Sequence, residues 1–345
     1  MRLYKVYNYF FVLLCSIVFS TLIQGKTTKP PIYVHYGLFV KKLSVDFKAS
    51  TFHSEFYWWA IFTNDSTKTG ISNDDILQFE YVNGIDVEVG SIKNEIQYSR
   101  KTGDTSLIMG FHQGQFYFTP DYSMYPFDEQ ILDIIVENSL FPSSELIFIS
   151  DSSSYIVSQQ LSHLRGLSDD LIKSNKTGNY HIHKTDIAIV DGIYNTNFGD
   201  ATAPNTSYYS RIKASILINR SFLPYISKLI IPLIIILILV YFVFFLPAEK
   251  LDIAAGLTVT SLLSAIAFQT AISTDIPEIG YIIYIDKVFY TCYFLIALSM
   301  AQSLITYYLD FSGEEKKVKL ASKIDYIFRF LFPLLFFAAV ILFAL

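Results

Sequence analysis

Seven residues at helical spacing carry the chemistry of this chain. Gly256, Thr260, Ala267, Thr270 and Thr274 fall at three- and four-residue steps, with Asp252 at the head of the line and Leu263 in its middle. On an α-helix such steps share one face. The line runs through Asp252–Thr274 (DIAAGLTVTSLLSAIAFQTAIST), which is uncharged from Ile253 to Thr274. At about 20 residues per span it is long enough to cross a bilayer. A helix lying alone in lipid has no reason to align its weakest hydrophobes. Several copies facing one another around water do, so the stripe reads as a pore lining. A carboxylate, a row of hydroxyls and one bulky apolar side chain act on ions. No nucleophile, base and acid occur in a pattern that suits bond-breaking, and an enzyme is not expected.

Four apolar stretches must position that stripe. Leu229–Leu246 carries no charge, Asp252–Thr274 follows after PAEKL, Val288–Leu309 is third, and Tyr326–Leu345 ends the sequence. We expect spans at about 222–247, 252–275, 284–310 and 324–345, making a membrane domain of 221–345. Residues 1–25 open with Arg2 and Lys5, then run through apolar Tyr9–Ile23 to Gln24–Gly25. That order reads as a secretory signal peptide; an uncleaved anchor exports the next segment equally well. Four spans after an exported domain return the C-terminus outside. The inner loops are then Pro247–Leu251 and Asp310–Asp325, the latter with Lys316, Lys317, Lys319 and Lys323, which agrees with the positive-inside tendency. The expected location is the inner membrane of the cell, multi-pass.

Of 345 residues, 52% are hydrophobic and the net charge is −5, which gives nucleic-acid binding no support. Two cysteines are present, Cys15 and Cys292; neither lies in 26–220, so that domain must be stable by its own core. There β-branched and aromatic runs alternate with Gly, Asn, Asp, Ser and Pro clusters. Ten runs with no long helical period indicate a β-sandwich. Leu161–Asn175 is either a short helix or a loop. In Phe52–Phe62 the even residues Phe52, Phe56, Trp58 and Phe62 share a face with small Ser54 and Ala60. The odd face, with Tyr57 and Trp59, suits an interface or ligand wall, unless both faces are buried.

Three short pieces point to one family. Tyr125-Pro126-Phe127-Asp128-Glu129-Gln130 sits on a turn between two strands; Arg220 closes the last strand, with Pro232 inside the first span; and Thr260–Phe268 (TSLLSAIAF) is followed by Ile276-Pro277. In that order they resemble the pentameric ligand-gated ion channels, the Cys-loop receptor superfamily, in its prokaryotic form without the paired cysteines. The resemblance implies an extracellular Ig-like sandwich of about ten strands above four transmembrane helices, five copies around one axis. It implies an agonist between neighbouring sandwiches and a pore lined by Asp252, Gly256, Thr260, Leu263, Ala267, Thr270 and Thr274. Asp252 would supply a ring of carboxylates selecting monovalent cations, and Leu263 a constriction that dewets; plain helix packing is the alternative for Leu263. Asp275 and Glu278 would concentrate cations at the outer mouth.

Asp128 and Arg220 would pair at the domain junction, with Asp46 as a third member unless Phe47 takes its slot. This group would couple the sandwich to the linker containing Pro277, unless the pair is static. For the ligand the resemblance points to Tyr57, Trp59, Tyr81, Glu137, Phe141, Tyr208 and Tyr209. A carboxylate among aromatics suits a cationic amine. Phe62 stands where the family usually has tryptophan, and no histidine occurs in the second span to carry over proton gating. His181 and His183 share a strand face but have no third metal ligand nearby in sequence, and no cofactor is expected. Gly110–Gly114 (GFHQG) reads as a turn. The rival class is a non-conducting membrane receptor signalling through the same helices; the polar stripe argues against it.

Overall fold

The structure is a computed structural model that describes residues 30–85, 93–151, 164–174, 180–199, 204–274 and 276–344. The expected signal peptide and Asp275 lie outside the described residues. Among them ten strands form two sheets: β1 Ile32–Asp46, β2 Thr51–Thr63, β3 Phe79–Tyr81, β4 Gly84–Ile85, β5 Lys93–Thr102, β6 Thr105–Tyr117, β7 Glu129–Asn138, β8 Leu146–Ser150, β9 Tyr180–Tyr194 and β10 Ser207–Arg220. One sheet runs β4-β6-β2-β1-β8 with β5 beside β6, and the other runs β3-β7-β10-β9. Among the described strands β1 and β8 pair in parallel, and Val40 of β1 makes a further isolated parallel bridge to Leu167.

Period-two alternation decides which face of each strand is buried. In β2, Phe52, Ser54, Phe56, Trp58, Ala60 and Phe62 are buried while Tyr57 and Trp59 are half-buried, so the even face is the core. Residues 110–114 are not a turn. They lie inside β6, and the glycines are there to admit rings. A Cβ on Gly110 would sit 2.4 Å from the Trp58 ring, and one on Gly114 would sit 2.9 Å from His112 Nε2. Of 161–175, Asp169–Ser174 forms a short helix.

His112 is 1% exposed, against Tyr81 at a ring separation of 3.8 Å and Phe56 at 5.0 Å. Burial holds its pKa down at about 3. The folded protein therefore refuses a proton that the unfolded chain accepts below about pH 6.5. Stability is unaffected above that pH and falls as the pH drops from 6.5 toward 3. The loss is about 2 kcal/mol by pH 5, at about 1.4 kcal/mol per unit. His112→Phe is expected to flatten this part of the pH profile of thermal unfolding. An unchanged profile would show that other groups set the acid sensitivity.

Four helices follow, each long and apolar enough to cross a membrane: α4 Leu223–Phe245, α5 Leu251–Ser273, α6 Tyr284–Phe311 and α7, which spans Glu315–Ala344 (the short helices α1 Ser66–Thr69, α2 Asn73–Ile76 and α3 Asp169–Ser174 precede them). α4 contains a π-helical turn at Ile226–Ile230. Pro232 has no N–H for the carbonyl of Lys228, and the wider turn absorbs that missing bond. α7 begins nine residues before the expected 324, so most of Asp310–Asp325 is helix and not loop. Pairs at i,i+3 and i,i+4, Glu314–Lys317 and Glu315–Lys319, favour that extension.

Candidate functional site

The second-span helix α5 presents two unlike faces. Ala254, Thr258, Ser261 and Ala265 are buried. Asp252, Gly256, Thr260, Leu263, Ala267, Thr270 and Thr274 are all exposed, and Leu263 is 62% exposed, the most of the large apolar side chains on this helix. The hydroxyls divide the same way. Thr258 turns inward, donating to the Ala254 carbonyl at 2.9 Å and approaching Met300 Sδ of α6 at 3.4 Å. Thr270 and Thr274 donate to their own helix at Ile266 and Ala271, which leaves their oxygen lone pairs for water or an ion. At the sandwich end, Gln269 ties α5 to α6 through Asp286 at 2.8 Å and the Tyr293 hydroxyl at 2.6 Å.

At the junction, the turn after β6 and the end of β10 converge. Arg220 Nε donates to both Asp128 oxygens at 3.0 and 3.1 Å. The side chains are 8% and 1% exposed. Gln130 donates to Asp128 Oδ2 at 2.5 Å, and Arg220 Nη1 reaches the Tyr225 hydroxyl of the first span at 3.3 Å. Rings enclose the guanidinium: Phe47 at 3.8 Å, Tyr125 at 5.1 Å and Tyr122 at 5.7 Å. Burial pulls the Arg220 pKa down, but the Asp128 charge and the Tyr225 hydroxyl outweigh it and the net shift is upward.

Asp46 is not part of this group. Its carboxylate is exposed and accepts from the Lys48 and Ala49 amides at 3.0 and 2.9 Å. This local turn competes successfully for the short side chain, and Phe47 meets Arg220 instead. The bonds to the linker before α6 also fall on residues that the sequence did not single out. The Tyr122 amide donates to the Tyr281 hydroxyl at 2.9 Å, and the Tyr284 amide donates to the Ser123 carbonyl at 2.8 Å. Pro277 lies on this linker; among the described residues these two hydrogen bonds to the turn come from Tyr281 on the linker and Tyr284 at the start of α6. Tyr122 and Tyr125 belong to the apolar cluster of the membrane helices, not to that of the sandwich.

The expected ligand residues separate into three places. Tyr81 packs against the sandwich core beside His112 and Phe56, so it is no ligand wall: its strand points that side chain inward. Phe141 likewise packs at the core's edge. Tyr57 and Trp59 lie on the outer face of the first sheet. Tyr57 is 5.3 Å from Phe111, and Trp59 donates to Asp151 at 2.7 Å. On the outer face of the second sheet Glu137 is paired with Arg211 at 2.6 Å and accepts from Tyr194 at 2.5 Å. Tyr209 and Phe198 stack edge-on to Tyr194 at 5.4 and 5.5 Å, whereas Tyr208 is exposed at the start of β10 with the parity of its inward-facing residues. The carboxylate that argued for a cationic amine is thus already neutralised within the chain. Arg211 and Tyr194 were missed because they reach Glu137 only through the β7–β10–β9 register. Outer faces of two packed sheets point apart, so Tyr57 and Tyr209 meet across one ligand only when they come from two copies.

No family model matches the chain. Over 225 residues it is 24% identical to a protein of Gloeobacter violaceus described as a proton-gated ion channel. The match covers 65% of this chain and 55% of that protein, about half of the relative's length. A sheet-rich region of ten strands followed by four membrane-length helices is the architecture of the pentameric channels.

Proposed function

We propose that this chain is one subunit of a homopentameric, ligand-gated, cation-selective channel of the Cys-loop receptor superfamily. The observation that carries the reading is the division of α5: every residue assigned to the pore is exposed, while its opposite face is packed on the bundle. Five such faces around an axis line a water path. Asp252 rings the mouth farthest from the sandwich and selects monovalent cations, the hydroxyls of Thr260, Thr270 and Thr274 line the way, and Leu263 closes it. The sandwich and C-terminus lie outside the inner membrane, and movement passes through Asp128, Arg220, Tyr122 and the Tyr281–Tyr284 linker. A small-molecule agonist binds between sandwiches. A cationic amine there relies on the faces of Tyr57, Tyr194 and Tyr209, because Glu137 is paired.

Reconstitution in planar bilayers tests this, and a total absence of ligand- or pH-dependent cation current would sink it. Asp252→Lys is expected to convert a cation reversal potential in asymmetric KCl to an anion one. No change would move selectivity to Glu278 or beyond. Protons are a second reading for the agonist. It is favoured by the relative's activity and by His181, whose Nε2 lies 2.8 Å from Ser221 Oγ next to Arg220. Current evoked by a step from pH 7 to pH 5 without ligand, and abolished in His181→Gln, is its expected signature.

A further inference from the structure

Two ionisable side chains near the sandwich end of the membrane helices have no counter-charge within the described chain. Lys228 lies in the π-helical turn of α4 and is exposed. Asp286 lies in the first turn of α6 and is half-buried. Neither makes an ion pair among the described residues. The Asp128 carboxylate at the same end is held by Arg220. Lys287, next to Asp286, is turned to the Phe343 ring of α7 at 5.9 Å. Asp286 accepts from the Gln269 amide at 2.8 Å, a neutral donor that fixes the carboxylate without cancelling its charge. Charged groups within membrane spans face protein or water and pair with one another, so each of the two calls for a partner.

They lie on opposite flanks of α5 at nearly one depth. α5 packs against both α4 and α6, which stand to either side of it when its stripe faces an axis. Lys228 borders a recess of about 300 Å³ lined by Phe47, Arg220, Tyr225, Lys228, Leu229 and Ile272 among others. Its helix walls belong to α4 and α5 among the described residues. Asp286 is on the other flank, where Tyr290, one turn along α6, is 50% exposed. Depth is read along α5: Ile272 faces the recess and Gln269 holds Asp286, a separation of about 4.5 Å at 1.5 Å of rise per residue. In a closed ring of identical copies each interface joins two different patches. The α4 flank of one copy therefore meets the α6 flank of the next, and a lysine meets a carboxylate.

We propose that Lys228 of one copy and Asp286 of the next form an ion pair across the membrane part of the subunit interface. The partner is thus a second copy of this chain, and the inference rests on the homopentameric reading given above. The ammonium enters from the recess between α4 and α5, and Gln269 holds the carboxylate in place to receive it. Neither residue belongs to the stripe on α5, so the pair acts on assembly and not on which ions pass.

Cross-linking of the full-length protein in mild detergent tests the contact. The reach of a lysine–carboxylate pair exceeds the Cα separation of about 7 Å that a disulfide tolerates, so a short bis-maleimide is the probe. Lys228→Cys/Asp286→Cys is expected to give a ladder of linked subunits on a denaturing gel. Each single variant is expected to run as a monomer, because Cys292 is buried. The charge is tested by native mass spectrometry of the intact pentamer. Lys228→Met and Asp286→Asn are each expected to speed its dissociation about tenfold or more, since truncating one partner of a buried charge pair acts on the off-rate. The reversed pair Lys228→Asp/Asp286→Lys is expected to recover most of that loss. Effects that simply add in the reversed pair overturn the ion pair and leave Lys228 to a lipid headgroup or to water. A pentamer that gives no ladder overturns the contact and leaves the channel reading standing. A wild type that is monomeric overturns both.

Discussion

Arg220→Gln is expected to destabilise the protein by about 3–5 kcal/mol, because it leaves the Asp128 carboxylate buried without a counter-charge. Asp128 is 1% exposed at its side chain, and of its bonds only the one from Gln130 survives the change. A loss of that size is a large fraction of a domain's whole stability. Asp128→Asn should cost less, since Arg220 keeps Phe47, Tyr125 and Tyr122 around it and the Tyr225 hydroxyl in front of it. The double variant Asp128→Asn/Arg220→Gln buries no unpaired charge and is expected to recover part of the loss. Thermal unfolding of the three detergent-solubilised variants measures the cycle. If Arg220→Gln unfolds with the wild type, the pair is solvated and the junction does not depend on it. Agonist-evoked flux in the double variant separates coupling from stability. A stable double variant that still gates normally leaves the pair a structural role only.

Leu263→Ser is expected to shift gating toward the open state by orders of magnitude. Leu263 is 62% exposed in the single chain, so any shelter from water that it has in the closed state comes from neighbouring copies. Removing a sheltered leucine side chain forfeits about 1–2 kcal/mol. Five copies acting together then approach the roughly 5.5 kcal/mol that carries a two-state equilibrium from 1:99 to 99:1. The measurement is agonist-independent ion flux from vesicles, together with the half-activating agonist concentration. Leu262, one residue earlier, is half-buried against the bundle. Leu262→Ser is expected to lower thermal stability and leave resting flux low. If the two variants behave alike, or Leu263→Ser gates as the wild type does, the constriction lies at another ring.

Much of this was legible because the relevant physics is local. An apolar run of membrane length, a two-residue alternation in β2 and a three-four spacing in α5 each follow from one element's own geometry. The seven stripe residues share one exposed face of α5 in the single chain. The misreadings occur where a residue answers to something distant. Gly110 and Gly114 look like turn punctuation, yet they are strand residues shortened to admit Trp58 and His112. Asp46 and Phe47 differ by one position, and a local side-chain turn at the hairpin decides which of them meets Arg220. Pro333 lies inside the fourth apolar helix, and only the packed bundle shows the Tyr241 hydroxyl taking up the Arg329 carbonyl that it frees.

The sequence by itself determined a β-rich domain, four apolar spans and the polar line from Asp252 to Thr274, since hydrophobic period and length are properties of short segments. Tertiary structure decided which charges meet. Glu137 is neutralised by Arg211 from 74 residues away, and Asp128 is held by Arg220 from 92 residues away. Strand register and the closing of one domain onto the next set those distances, and no local pattern in the chain encodes either.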